Sequence, residues 1–228
     1  MEKLWYLKKC DLFQGLSRES MDRVMAVAND KTVPKKRIIY SPSEENSAIY
    51  ILKKGRVRIF KLSPEGKTII LAILNEGDVF GAMSPIREGS STGYAETLED
   101  SYICSIEQDK FNQILAAMPE VALGMMEKIS RRLKEAEDRI EDLVFRDVPG
   151  RIASVLLNLS SQFGTEGPDG LRIDFKFTHQ DLADMVGASR ETVTVILNEF
   201  KDDGIIRIDD RFVTIRNLTE LKAWAGKD

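Results

Sequence analysis

Between Pro119 and Phe145 the apolar residues Ala122, Met126, Ile129, Leu133, Ala136, Ile140 and Leu143 recur at alternating steps of four and three. That spacing lays one greasy stripe along an α-helix in the manner of a coiled-coil seam. Arg131, Lys134, Glu135, Glu137, Asp138, Arg139, Glu141 and Asp142 fall on the remaining, solvated faces. At 1.5 Å per residue the helix is roughly 40 Å long, more than a small domain needs to cover itself. About three heptads are present, a marginal length for an isolated seam. The stripe therefore packs either on the chain's own upstream domain or on a second copy, and the reading preferred here is a parallel two-fold homodimer.

Upstream, the pattern changes twice. Ser17 stands where a helix N-cap belongs, with Met21, Val24, Met25 and Ala28 following at helical spacing. From Ile38 the period is two: Ile49 and Ile51, then Val57 and Ile59 against Arg56 and Arg58, predict half-buried strands. Ser63-Pro64-Glu65-Gly66 has the composition of a type I turn, and Lys67 to Leu74 supplies the returning strand. After a break at Asn75-Glu76-Gly77-Asp78, short strands are predicted at Val79-Phe80-Gly81, Tyr94 to Leu98 and Ser101 to Ile106. Their turn spacing suits an antiparallel sandwich or barrel, closed by a small helix around Phe111 to Met118. The expected division is a β-rich domain over 1–118, the long helix over 119–146 and a third piece over 147–228.

Downstream, Asp147-Val148-Pro149 ends one helix and starts another, because Pro suits a first helical turn and Asp147 can cap it. Arg151 to Leu159 carries Ile152, Val155, Leu156 and Leu159 on one face, and Phe163 to Gly170 reads as a surface loop by composition. Thr178 can cap a short helix with Asp181 three residues on, burying Leu182, Ala183 and Val186. Gly187 supplies a reversal, and Ser189 caps a second helix with Val193, Ile196, Leu197 and Phe200 inward, ending at Asp203-Gly204. Ile205 to Ile208 and Phe212 to Ile215 flank Asp209-Asp210 as a hairpin. Helix, Gly-containing turn, helix and hairpin make a winged helix-turn-helix, so the chain is α+β. Two packed helices without a nucleic-acid role have the same pattern. Arg190 and Glu191 favour double-stranded DNA: in the first turn of the second helix they face base edges, Arg forking onto guanine and Glu accepting from cytosine. Glu191 also suits a helix N-terminus for dipole reasons, whereas a cation there wants an anion in front of it.

Bulk composition narrows the rest. With 43% apolar and 31% charged residues over 228 positions, the chain is long enough for two cores. No basic start with an apolar core precedes a cleavage site and no apolar run reaches membrane-spanning length, so a cytoplasmic protein with no membrane partner is expected. Cys10 and Cys104 are the only cysteines and His179 the only histidine, too few for a four-ligand metal site. Neither a Cys/His or Ser/His pair nor a phosphate-cradling Gly-Lys loop is in place, so no catalytic residue is assigned and an enzyme is not expected. The net charge of −4 gives no general attraction to nucleic acid.

Thr178-His179-Gln180-Asp181-Leu182-Ala183 through Gly187-Ala188-Ser189-Arg190-Glu191-Thr192-Val193 resembles the helix-turn-helix of the cyclic-AMP receptor protein and fumarate-nitrate regulator (CRP/FNR) family. The likeness extends over nearly the whole chain, with Gly55, Gly66, Gly77-Asp78 and Phe80-Gly81 at the family's turns and Asp147-Val148-Pro149-Gly150-Arg151-Ile152 at its hinge. It implies an N-terminal antiparallel β-roll of cyclic-nucleotide-binding type as sensor, a long dimerisation helix and a C-terminal winged helix-turn-helix. Carried over, it implies base contacts from Arg190 and Glu191, phosphate contacts from Gln180, Ser189 and Thr192, and a hinge at Phe145 and Asp147. Where many relatives read a second base with Arg, this chain has Val195, which can meet a thymine methyl but not fork onto guanine. RNA polymerase is an implied partner.

The sensor departs further. Relatives that bind cyclic AMP carry a Glu after the Phe-Gly-like turn, an Arg-Ser pair for the phosphate and a Thr-Ser pair on the helix; here those positions read Ala82, Thr92-Gly93 and Ala136-Glu137. No cofactor is expected, and dependence on cyclic AMP is not. A pocket formed by Phe80, Gly81, Ala82, Met83, Thr92, Gly93 and Tyr94 against Ala136 suits a small, less charged effector, or is filled by its own side chains. Cys10 and Cys104 leave redox sensing open. The alternative function is a β-roll regulatory module acting through protein partners, with a degenerate DNA-binding domain.

Overall fold

Ser17 accepts a hydrogen bond from the Ser20 N–H (3.1 Å) and starts α1 (Arg18–Val27), whose Met21 and Val24 are buried. This computed structural model describes residues 10–42, 48–81 and 93–226. Among the described residues the first part has eight strands: β1 (Asn29–Val33), β2 (Ile38–Tyr40), β3 (Ala48–Lys54), β4 (Val57–Leu62), β5 (Thr68–Leu74), β6 (Val79–Gly81), β7 (Tyr94–Thr97) and β8 (Ser101–Glu107). They pair antiparallel in two four-stranded sheets, ordered β1-β8-β3-β6 and β2-β7-β4-β5. Between the sheets lie Leu52, Val57, Leu74, Phe80, Ala95 and Ile103. The outer face of the first sheet is covered by Leu12, Phe13, Met21 and Val24 together with α2 (Gln108–Ala117) and the start of α3 (Pro119–Phe145). A β-roll with helical cover results. Ser63 accepts from the Gly66 N–H at 2.9 Å, closing the predicted β4–β5 turn.

Two strand details differ from the period-two reading. Val57 and Phe60 are buried while Ile59 is half-buried, and the register between β4 and β5 shifts at Ile59 and Phe60. The extra residue is Leu71 of β5, inserted opposite Ile59 and Phe60, while the pairing of β4 with β7 runs on in register. In β3, Ile51, Leu52 and Lys53 are buried in succession. The Lys53 ammonium lies 2.5 Å from Asp30, which also accepts from the Tyr102 hydroxyl at 2.8 Å, so the buried charge is paired.

α3 is continuous over its 27 residues. Its own chain covers Val121, Met125 and Lys128, one position off the predicted stripe. Met126, Ile129, Leu133, Ala136, Ile140 and Leu143 are exposed, Leu133 by 59% and Ile140 by 62%, and Ala122 is half-buried. Within this chain the stripe is therefore not the packing face. The chain divides into two compact units, Met1–Arg132 and Leu133–Asp228, the division falling inside α3.

In the second unit Asp147 accepts from the Gly150 N–H at 2.9 Å and caps α4 (Val148–Phe163), as expected, with Pro149 in the first turn. Ile152, Leu156 and Leu159 are buried and Val155 half-buried. The expected loop from Phe163 to Gly170 is instead mostly strand: β9 (Gly164–Gly167) pairs with β10 (Gly170–Ile173). Backbone pairing makes this hairpin, since all four residues of β9 are exposed and none supplies an apolar alternation. Gly170 has φ +123°, and a Cβ there would lie 2.2 Å from the Ile215 carbonyl oxygen. The reader follows as α5 (His179–Val186), α6 (Arg190–Asp202), β11 (Ile206–Asp209), β12 (Phe212–Ile215) and α7 (Leu218–Trp224), with sheet order β11-β12-β10-β9. Asp210 and Arg211 both have positive φ, which suits the tight reversal between β11 and β12 and moves the predicted turn on by one residue. Among the described residues no helix is long and apolar enough to cross a membrane.

Candidate nucleic-acid interface

The helix-turn-helix is built from local hydrogen bonds. Thr178 and Asp181 form a complete capping box: the Asp181 N–H donates to the Thr178 hydroxyl (3.1 Å) and the Thr178 N–H to the Asp181 carboxylate (2.8 Å). Gly187 ends α5 in the left-handed conformation, φ +68°, with its N–H on the Ala183 carbonyl at 2.9 Å. Ser189 accepts from the Thr192 N–H at 3.1 Å and starts α6. Val193, Ile196, Leu197 and Phe200 then face inward as predicted.

The opposite face of α6 is open. Ser189, Arg190, Glu191, Thr192 and Val195 are exposed, as is Gln180 on α5. Among the described residues the side chains of Arg190 and Glu191 have no hydrogen-bond or ion-pair partner, so both are free to meet an incoming ligand. Ser189 and Thr192 hydroxyls lie 2.9 Å apart within the cap, and the Gln180 amide donates to Asp184 at 2.7 Å. His179 carries a contact that sequence patterning does not reveal: its Nδ1 is 2.8 Å from the Thr194 hydroxyl on α6.

Two cations beside the wing are paired with its own carboxylates. Lys176 pairs with Asp210, and Arg207 with both Asp169 (3.0 Å) and Asp209 (2.5 Å). Lys176, through its hydrogen bond and its charge, holds the Asp210 carboxyl below its usual range. The Arg172 guanidinium sits 3.9 Å from the Phe212 ring centroid. Two of the cations a duplex backbone would attract, Lys176 and Arg207, are thus engaged with carboxylates of the reader itself.

On the sensor side, the structure brings Phe80 and Gly81, at the end of β6, and Gly93 and Tyr94, at the start of β7, into the roll. Phe80 is buried and stacks on Tyr50 (5.3 Å) near Tyr40 (6.2 Å), while Tyr94 stacks on Phe60 (5.1 Å). A Cβ on Gly81 would lie 2.5 Å from the Ala48 carbonyl oxygen, and one on Gly93 2.8 Å from that of Phe60. Ala82, Met83 and Thr92 lie outside the described residues, and Ala136 belongs to the second unit. Burial pushes the Tyr40 phenol up to about 12. Two basic residues of α3 hold the turn before this site: Lys128 donates to the Gly77 carbonyl at 3.4 Å and Arg132 to that of Val79. Cys10 and Cys104 are buried, and burial pushes the Cys10 thiol up to about 11, which disfavours the reactive thiolate.

A family model described as the Crp-like helix-turn-helix domain matches residues 150–224, and one described as the cyclic nucleotide-binding domain matches residues 30–118. Over 215 residues the chain is 31% identical to the CRP-like cAMP-activated global transcriptional regulator of Mycobacterium tuberculosis, covering 94% of this chain and 96% of that one. The chain belongs to the CRP/FNR family. Another member, the global nitrogen regulator of Synechocystis, is 31% identical over 212 residues, 92% of each chain. Among solved structures, a double mutant of CooA from Carboxydothermus hydrogenoformans superposes with a TM-score of 0.78 at 30% identity, covering 89% of each chain. A CRP-family transcriptional regulator from Thermus thermophilus gives 0.73 at 26% identity, over 86% of this chain and 97% of that one. This CRP/FNR protein is accordingly a transcription regulator with a helix-turn-helix DNA-binding domain, and its relatives are not enzymes. Residues 30–118 carry the family's cyclic nucleotide-binding domain, which suggests a small-molecule effector in the family. The alternative of a degenerate reader is not favoured, because the match spans the whole helix-turn-helix and wing.

Proposed function

We propose that this CRP/FNR regulator works as a homodimer that reads a palindromic duplex without requiring cyclic AMP. The observation that carries the reading is the outward face of α6, where Arg190, Glu191 and Val195 are exposed and the two charged side chains uncommitted. Arg190 and Glu191 contact base edges, Val195 meets a thymine methyl, and Gln180, Ser189 and Thr192 hold phosphates. The exposed stripe of α3 pairs with its counterpart in a second chain, putting two recognition helices in successive major grooves about 34 to 36 Å apart. The pairing of Lys176 and Arg207, together with the many carboxylates of the reader, makes nonspecific binding weak and salt-sensitive.

If an effector exists, it acts by biasing two orientations about the segment around Phe145, which is exposed, and Asp147, which caps α4. Every polar handle for cyclic AMP is replaced at Ala82, Thr92-Gly93 and Ala136-Glu137, and a buried phosphate without a cation is costly. The M. tuberculosis relative is cAMP-activated by name; this chain is not expected to be. RNA polymerase is the protein partner, and the cytoplasm the compartment, that such a function requires. Selection of bound sequences from a random duplex pool, paired with sedimentation equilibrium, tests the reading: inverted repeats and a dimer are expected. A monomer that selects no sequence would overturn it. Isothermal titration with cyclic AMP is expected to give no tight binding.

A further inference from the structure

β11 and β12 are joined by two residues, Asp210 and Arg211, with φ +47° and +68°. In a two-residue reversal with both centres left-handed, Asp is ordinary at the first position and Gly at the second, so Arg211 stands where a side chain is crowded. The turn keeps that conformation because it is tied down on three sides. Lys176 pairs with Asp210, and the Phe177 N–H donates to the Arg211 carbonyl at 3.4 Å. The adjoining Phe212 ring carries the Arg172 guanidinium 3.9 Å and the Lys176 ammonium 5.2 Å from its centroid. The tip of the wing is thereby held against Lys176 and Phe177, immediately before Thr178, the cap of α5. Arg207 is taken up by Asp169 and Asp209. The side chain of Arg211 is exposed and, among the described residues, has no hydrogen-bond or ion-pair partner, its charge acting on Asp210 only behind that of Lys176.

The geometry of a duplex fixes which groove this side chain meets. With α6 in the major groove, the first helix of the pair crosses the sugar–phosphate backbone bordering that groove. The start of α5, where Gln180 is assigned a phosphate, therefore lies at a backbone strand. Crossing that strand from the major groove leads into the minor groove, and Arg211 is held beside the start of α5. We propose that Arg211 enters the minor groove next to the half-site and selects A·T pairs there by groove shape. The inference rests on the DNA-reading function proposed above. A run of A·T pairs narrows the minor groove and deepens its negative potential, which draws in a guanidinium. A G·C pair instead places the guanine 2-amino group in the groove floor. Arginine suits the task better than lysine because its planar group is more weakly hydrated and gives up less on leaving water. The left-handed backbone at Arg211 is local strain of the kind that accompanies a side chain presented for contact.

The test holds a pool-selected half-site constant and varies the base pairs next to it among A·T, G·C and inosine·cytosine, reading binding of the full chain by fluorescence anisotropy over a salt series. Inosine lacks the 2-amino group of guanine and keeps its major-groove edge, so the exchange alters only the groove assigned to Arg211. The wild type is expected to bind A·T and inosine flanks about three- to tenfold tighter than G·C flanks. Arg211→Asn, whose side chain tolerates a left-handed turn, is expected to lose that preference and roughly one unit of the log affinity against log salt slope, and to select the same half-site. Arg211→Lys is expected to keep the slope and lose the preference. Equal wild-type affinity for all three flanks, inosine flanks that behave as G·C, or an Arg211→Asn profile like the wild type's would overturn the inference and leave the reader standing. Failure of the wild type to bind any selected duplex would overturn both.

Discussion

The guanidinium of Arg151 donates from Nε to the carbonyl of Val186 at 3.0 Å and from Nη1 to that of Arg146 at 2.9 Å. One side chain thereby ties the last turn of α5 to the residue after α3. Arg146 is itself held by Asp142 at 2.6 Å, with both side chains mostly covered. The segment that follows the long helix is therefore pinned to the reader by a forked donor, a task for arginine's planar geometry. Arg151→Lys, with a single donor nitrogen, is expected to leave one carbonyl unmet and to cost about 1–3 kcal/mol in urea unfolding of the second unit. An unchanged unfolding midpoint would count against the tie.

Leu133 and Ile140 lie on the exposed stripe, while Val121 and Met125 lie under the chain's own cover. Charge placed on the two faces should act differently. Leu133→Asp is expected to loosen the proposed dimer by about a hundredfold or more in Kd, because its interface would bury unpaired carboxylates, and to leave monomer melting near wild type. Met125→Asp is expected to destabilise the first unit directly. Sedimentation equilibrium and thermal melts separate the two effects.

Arg190→Ala should weaken selected-site binding by about 1–3 kcal/mol and relax one base position. Val195→Arg should add a guanine preference where the wild type has none, since only the guanidinium can fork onto O6 and N7. Sequence selection with each variant checks both, and unchanged preference in either would displace α6 from its assigned role.

Cys10 titrates at about 11 in the folded chain against an ordinary 9.0, chiefly through burial. A raised pKa means the folded state keeps its proton longer than the unfolded one, so this contribution to stability is complete below about pH 9 and is lost as pH rises toward 11. Thermal melts between about pH 8 and about pH 11 are expected to fall for the first unit, and to fall less in Cys10→Ala. Identical alkaline slopes in both proteins would show that another group sets the loss.

Much of this protein is legible along the chain because the deciding partners are a few residues apart. Ser17, Asp147, Thr178 and Ser189 cap helices through N–H groups three residues on, and Gly187 stops α5 with a conformation that needs no distant neighbour. The heptad stripe of α3 and the inward face of α6 are likewise fixed by helical period alone. What the tertiary structure decided depends on segments that meet from far apart. The bulge opposite Ile59 and Phe60 follows from register against β5, and the β9–β10 hairpin from backbone pairing that its exposed residues do not advertise. That Val121 and Met125, not the stripe, cover the first core was set by which side of α3 the roll could reach. Phe80 joined a stack of rings because Tyr40 and Tyr50 arrive from other strands, and His179 found Thr194 only once α5 and α6 had packed. Local hydrogen bonds and periodicity are written in sequence order; which residues meet across the sheets and helices depends on the packed fold.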